Sequence, residues 1–261
     1  MLTGFTFGEY SNEELGVIAV HFGTMNGGTL YEGEVTDLVT DKSAKSNEYE
    51  IVSHKDKQPQ SFPFQIVNEN GFNIETEQER FLNRVMCKKY DYQWLFFHEE
   101  RYSDIWIKCI MHNPQIWDVG GAKGMQFDVV TSSPYAFTDE RENNYAFTDS
   151  DKVINDLYIN SDIDEPIFPD IEITLLEAGN LTITNGSEIE PSWFLKIDNL
   201  VVGEVITIKD KKITSSIETH DIFNDTNKKW LRLYNDYNQI TFNLKCQVTI
   251  KYREYRRMVI Y

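Results

Sequence analysis

Chemistry on another molecule needs particular side chains at particular spacings, and this chain offers few candidates. The five histidines, His21, His54, His98, His112 and His220, are scattered, with no HxH or HExxH spacing to set two imidazoles on one metal. The three cysteines, Cys87, Cys109 and Cys246, lie far apart without a CxxC, so neither a zinc site nor a redox pair is implied. They read as buried free thiols of a reducing compartment. Cys109 sits in the apolar run Ile105-Trp106-Ile107-Lys108-Cys109-Ile110, and His21 in Gly16-Val17-Ile18-Ala19-Val20-His21-Phe22, so both read as packed strand residues. There is no GxSxG elbow, no GxxxxGK[ST] loop and no GxGxxG turn. Ser161-Asp162-Ile163-Asp164-Glu165 begins like a calcium loop but lacks its glycine and distal glutamate. No residue is therefore nominated as catalytic, cofactor-binding or metal-ligating, and no cofactor is expected.

Two features could bind rather than react. Trp193 and Trp230 lie in strand-like segments and could offer rings for sugar stacking, or could be sandwich core. The C-terminal stretch 245–261 carries Lys245, Lys251, Arg253, Arg256 and Arg257 against Glu254. Residues 139–190 carry 14 acidic side chains and 2 basic ones. If the two stretches formed ends of opposite sign, Lys251, Arg253, Arg256 and Arg257 would suit a head-to-tail contact between copies; a solvated edge strand is the alternative.

The elements that must position these residues follow from composition. Six alanines stand against 35 aromatic residues in 261, a β-rich balance. The net charge of −17 repels phosphate, which excludes a sequence-independent grip on nucleic acid. No apolar run approaches the roughly 18 residues of a membrane span, so no membrane insertion is expected, and Met1–Phe5 does not open like a secretory signal.

The first half predicts strands at 16–22, 49–53, 61–67 (an edge strand, because of Pro63), 92–97, 104–111 and 125–129. One helix is predicted over Thr76–Met86, opened by a Thr76/Glu79 capping box, with Phe81, Leu82, Val85 and Met86 as its packing stripe. Lys88 and Lys89 follow its negative end. Tyr135-Ala136-Phe137-Thr138-Asp139 recurs as Tyr145-Ala146-Phe147-Thr148-Asp149, either a local hairpin or a chance echo. The last hundred residues predict nine short strands, 171–175, 181–184, 192–197, 205–208, 212–216, 230–233, 239–242, 247–252 and 256–261, separated by turn residues, which is the pattern of a β-sandwich.

Taken together, several segments resemble the distal tail protein of siphophages, the phages with long non-contractile tails. They are Phe5-Thr6-Phe7-Gly8-Glu9-Tyr10-Ser11 followed by Leu15–Val20, Phe62-Pro63-Phe64-Gln65-Ile66-Val67 before one helix, and Phe127–Ala136. Phe168-Pro169-Asp170-Ile171, Leu181–Asn185, Asn227–Leu233 and Ile250-Lys251-Tyr252-Arg253 extend the resemblance over most of the chain. Two turns depart from the family pattern, Asn235–Asn238 and Met25–Thr29. The resemblance implies a mainly β protein. Residues 1–138 would be a ring-forming, barrel- or sandwich-like β domain with one α-helix, 139–165 an acidic linker or extension, and 166–261 a galectin-like β-sandwich. It further implies a non-enzymatic baseplate hub, a homo-hexameric ring that joins the tail tube protein to hub or fibre proteins and leaves a channel for DNA. Receptor-binding or other baseplate proteins would be further partners. The protein would be made in the host bacterial cytoplasm and reside at the distal end of the tail of the virion. The alternative is a carbohydrate-binding sandwich that contacts cell-wall glycans.

Overall fold

The computed structural model describes residues 2–20, 38–42, 49–54, 59, 61–87, 91–119, 121–148 and 153–257. His21, the Met25–Thr29 turn, Lys88 and Lys89 lie outside them. The chain divides into two units. One runs to Thr138 and is rejoined at Arg256; the other is Asp139–Tyr255.

The first unit contains, in chain order, β1 (Leu2–Thr3), β2 (Phe5–Phe7), β3 (Tyr10–Ser11), helix α1 (Asn12–Leu15), β4 (Val17–Val20), β5 (Leu38–Lys42) and β6 (Tyr49–His54). There follow β7 (Ser61–Asn68), helix α2 (Thr76–Met86), β8 (Gln93–Phe97), β9 (Trp106–Val119), β10 (Ala122–Thr131) and β11 (Ala136–Phe137). Eight strands make one antiparallel sheet in the order β1-β4-β7-β10-β9-β8-β2-β3, with β11 paired to β9, while β5 and β6 pair with each other. The ladder does not close into a barrel, yet a single segment serves both of its ends. Leu2–Thr3 bonds β4 and Phe5–Phe7 bonds β8, with Gly4 at the switch. A Cβ at Gly4 would stand 2.9 Å from His98 Nδ1 and 3.0 Å from Asn12 Oδ1, so a larger residue would have to push aside both side chains, of which Asn12 accepts from Phe5 N. β7 lies inside the sheet, between β4 and β10, and not at an edge as Pro63 implied. Pro63 sits beyond the last described β4 pairing, Val20 with Gln65, and is the register partner of Asp128 on β10.

Phe5 packs edge-on against Phe64 at 5.0 Å, and Leu82, Val85 and Met86 bring α2 into the same core. Each such buried side chain contributes about 1.5–3 kcal/mol of apolar burial. The Thr76/Glu79 capping box is not formed. Glu75 is the N-cap, without a side-chain bond, and Thr76 is already the first helical residue. The box forms instead at α1, a second helix the sequence reading did not anticipate. Ser11 Oγ accepts from Glu14 N at 3.2 Å, and Glu14 Oε2 accepts from Ser11 N at 2.8 Å. Gly16 ends α1 at φ 65°, and Gln78 of α2 donates to the carbonyls of Leu15 and Gly16 there. Cys109 is fully buried on β9, Cys246 is buried in the second unit, Cys87 is half-buried, and all three are free.

The second unit contains β12 (Arg141–Phe147), β13 (Val153–Ile159), β14 (Asp170–Leu175), β15 (Gly179–Asn185), β16 (Leu195–Leu200), β17 (Val205–Lys209), β18 (Lys212–Ser215), β19 (Asp236–Phe242) and β20 (Cys246–Tyr252). They form two sheets, β12-β20-β14-β17-β18 and β13-β19-β15-β16. Inward residues of both, among them Ile173, Ile206 and Ile250 from the first and Leu181, Ile197 and Phe242 from the second, fill one sandwich core.

Three expectations change. Residues 139–165 are not a linker, because they supply β12 and β13, whose Phe147, Ile154, Leu157 and Ile159 are buried. Residues 230–233 join no ladder; Leu233 alone bridges Ile167. Of the strand expected at 256–261, only Arg256 lies in a strand among the described residues, the short pair Tyr255–Arg256. The two YAFTD copies do not pair as a hairpin, since Phe137 faces Trp106 and β12 pairs with β20.

Candidate functional site

The acidic and basic stretches set apart by sequence include neighbouring strands of one sheet, not opposite ends of the molecule. β12, from the acidic stretch, runs antiparallel to β20, from the basic one, with Glu142 opposite Lys251. Lys251 Nζ lies 2.8 Å from Glu142 Oε2, and each holds the other in its charged form: the hydrogen bond raises the lysine pKa and lowers that of the glutamate. Arg256 Nε lies 3.3 Å from Asp104 Oδ2 within the first unit. Burial, the largest influence, pulls the Arg253 pKa down against the opposing pull of Glu140 and Asp139. Arg257 is exposed. Lys251, Arg253 and Arg256 thus meet acids of their own chain, and the opposite-ends argument for a head-to-tail contact falls away.

The outward face of the five-stranded sheet is polar from edge to edge. One register row reads Asn144, Thr249, Glu172, Thr207, Thr214 across the five strands. Thr249 Oγ1 donates to Asn144 Oδ1 at 2.6 Å. A depression of about 260 Å³ opens on this face, lined by Asp170, Glu172, Thr207, Lys209 and Lys251 among others. Burial raises the pKa of Asp170, whose Oδ1 accepts from Asp210 N. Sequence reading missed the row because its members come from strands distant in the chain; only the alternation within β14 and β20 hinted at it.

Neither tryptophan presents a bare ring. The Arg232 guanidinium lies 3.3 Å from the Trp193 ring centroid, covering one face, and Trp193 Nε1 donates to Trp230 O at 2.8 Å. Trp230 is half-buried against the sandwich core. The pair is fixed by contacts within its own unit.

The densest charge cluster is one that the scattered histidines did not advertise. His220 Nδ1 contacts Glu204 Oε1, and Nε2 lies 3.0 Å from Asp225 Oδ2. Two carboxylates can only accept, so both ring nitrogens donate and His220 is an imidazolium. Its pKa is raised: burial works against the charge, and the bonds to Glu204 and Asp225 overcome it. Glu204, fully buried, is lowered because bonds from Ser215, His220 and Val201 N outweigh its burial. Ser215 Oγ donates to Glu204 at 2.6 Å and not to His220, so there is no serine–histidine relay. The cluster holds turns together. Among the described residues no group of three or more His, Cys, Asp or Glu side chains is arranged to hold a metal ion, and no helix is long and apolar enough to cross a membrane.

Two family models match the chain in tandem, a phage tail protein N-terminal domain over residues 1–133 and a phage tail C-terminal domain over 135–252. They meet close to the division at Thr138 and Asp139. Among solved structures, the SPP1 Dit (gp 19.1) protein, described as a paradigm of the hub adsorption apparatus in phages infecting Gram-positive hosts, superimposes with a TM-score of 0.64. That match covers 97% of this chain and 99% of Dit at 9% identity, a likeness of fold. The mosquito-larvicidal Cry4Aa toxin of Bacillus thuringiensis aligns over 99% of this chain and 52% of its own at 9% identity; its TM-score of 0.22 carries no argument. No curated protein matches in sequence.

Proposed function

The chain belongs to the phage tail protein family whose N- and C-terminal domain models span it, and from that membership we propose that it is a distal tail protein, the structural hub at the tip of a long non-contractile tail. The observation that carries this reading is the end-to-end correspondence with Dit, in which both units of this chain find counterparts within one protein of nearly equal extent. In this reading six copies close a ring through their first units, join the tail tube to hub and fibre proteins, and leave a channel for DNA. The second units, galectin-like sandwiches, carry the contacts with receptor-binding or other baseplate proteins. A net charge of −17 suits a bore through which DNA slides without adhering. Free thiols in both units suit assembly in the reducing cytoplasm of the host. The role is architectural, with no catalytic step.

Light scattering on a sizing column, with negative-stain imaging of the pure protein, tests the ring. A species near six times 30.5 kDa with a central hole is expected. Gold-labelled antibody on intact virions tests the place. Label confined to the distal end supports the hub, whereas label along the tail tube or on the head overturns it.

A further inference from the structure

We propose that Asn70–Gly71 is a site of spontaneous succinimide formation, at which the protein gains a negative charge with age. Three Asn-Gly pairs occur in the chain: 26–27, which lies outside the described residues, 70–71 and 185–186. The structure gives the last two opposite environments.

Asn70 and Gly71 are both exposed, at the tip of the turn between β7 and α2. The turn is pinned on either side of them. Asn68 accepts from Asn70 N at 2.7 Å and donates to Gln78 at 2.7 Å, while Asn73 Oδ1 accepts from Lys123 N at 2.9 Å. Between these anchors neither the Asn70 carboxamide nor the Gly71 N–H has a hydrogen-bond partner among the described residues. A Cβ at Gly71 would meet nothing within 4 Å, so there is open space beside the attacking nitrogen.

Asn185 is held by contrast. It is 8% exposed, its Nδ2 donates to Arg232 O at 2.8 Å and Asn238 Oδ1 at 2.7 Å, and its Oδ1 accepts from Ser187 N at 3.0 Å. The nucleophile is engaged too, since Gly186 N donates to Gln239 O at 2.7 Å. Cyclisation there must break this network in the core of the sandwich, whereas at Asn70 only an exposed turn must rotate.

In the reaction the Gly71 amide nitrogen, having given up its proton to hydroxide, attacks Asn70 Cγ. The N–Cγ bond forms, the bond from Cγ to the side-chain nitrogen breaks, and that nitrogen leaves as ammonia after taking a proton from water. One water then opens the five-membered ring at either carbonyl, giving aspartate or isoaspartate at position 70. The net exchange is ammonia lost and water gained, with no oxidant or cofactor. The isoaspartyl branch also lengthens the backbone by one carbon between β7 and α2.

The three pairs fall on separate tryptic peptides, 1–42, 58–80 and 153–196, so peptide mapping of the intact protein after mildly alkaline incubation tests the proposal. The expected result is a gain of one mass unit in 58–80, assigned by fragmentation to residue 70 and partly isoaspartyl. It should grow with time and pH, be absent in Asn70→Gln, and leave 153–196 unchanged. The same protein incubated in denaturant should convert at both sites. The proposal is overturned if position 70 stays intact in the native protein while converting in denaturant, or if native Asn185 converts as fast as Asn70.

Discussion

Trp117 on β9 lays its ring across Gly124, its register partner on β10: a Cβ at position 124 would stand 2.3 Å from Trp117 Cζ2 and 2.7 Å from the carbonyl oxygen of Ile66. The ring can move; the carbonyl, on interior strand β7, cannot without disturbing the ladder. Gly124→Ala is expected to lower stability by about 1–3 kcal/mol, the usual cost of overpacking. Adding Trp117→Ala should not restore it, because Ile66 O remains. Denaturant unfolding of both variants checks this.

The imidazolium of His220 makes the second unit sensitive to pH. Its folded pKa lies above the ordinary 6.5, so its contribution is complete below that value and fades as pH rises through the folded one. Glu204 and Asp225 are held below their ordinary 4.5 and 3.8, so their share is present above those values and fades as pH falls through the folded ones. The cluster should stabilise most between the ordinary carboxylate values and 6.5, and weaken as pH rises above 6.5 through the raised folded value of His220. Thermal melts across this range are expected to show that loss in the parent chain and a flatter alkaline limb in His220→Gln.

The boundary of the second unit can be tested with fragments. A fragment of 139–255 keeps all nine strands and should fold alone as a sandwich. One starting at residue 166 lacks β12 and β13, uncovers β20 and β19, and loses Phe147, Ile154, Leu157 and Ile159 from the core. It should be unfolded or aggregated by circular dichroism and sizing.

Thiol titration should separate the cysteines. Burial pushes the Cys109 thiol up to about 12 and that of Cys87 up more modestly. In the native protein a thiol reagent should modify Cys87 alone and slowly. In denaturant all three should react. Rapid native reaction at Cys109 would show that β9 opens readily.

How much of this was legible beforehand depended on whether a signal was local. The α2 stripe of Leu82, Val85 and Met86 was readable because helical period is local, but Thr76 promised a capping box one residue out of place. The real box, Ser11 with Glu14, has the right spacing, yet α1 is four residues long and too short to show a period. β12 and β13 were hidden by their polar, Asn-rich surroundings. Each carries one acid, Glu142 or Asp156, among asparagines, and this masked the inward Phe147, Ile154 and Leu157. At 230–233 the error ran the other way: buried Leu231 and Leu233 alternate like a strand, but no ladder receives them. The candidate sites were least legible of all. Lys251 facing Glu142, and His220 held between Glu204 and Asp225, are pairings that only the register of strands and the geometry of turns create.

The split pairing of Leu2–Phe7 also sets an order of events during synthesis. Leu2–Thr3 can find β4 as soon as Val20 has emerged, but Phe5 and Phe7 must wait for β8, whose Phe97 is the register partner of Phe5. Leu2–Phe7 is therefore made well before it can be fully seated, a long-range contact that slows the closing of the sheet. Until it seats, two phenylalanines that end fully or almost fully buried are exposed to the other nascent chains of an assembling virion. Substitution of Phe5 by alanine should therefore lower the stability of the folded protein, with the loss appearing mainly as faster unfolding.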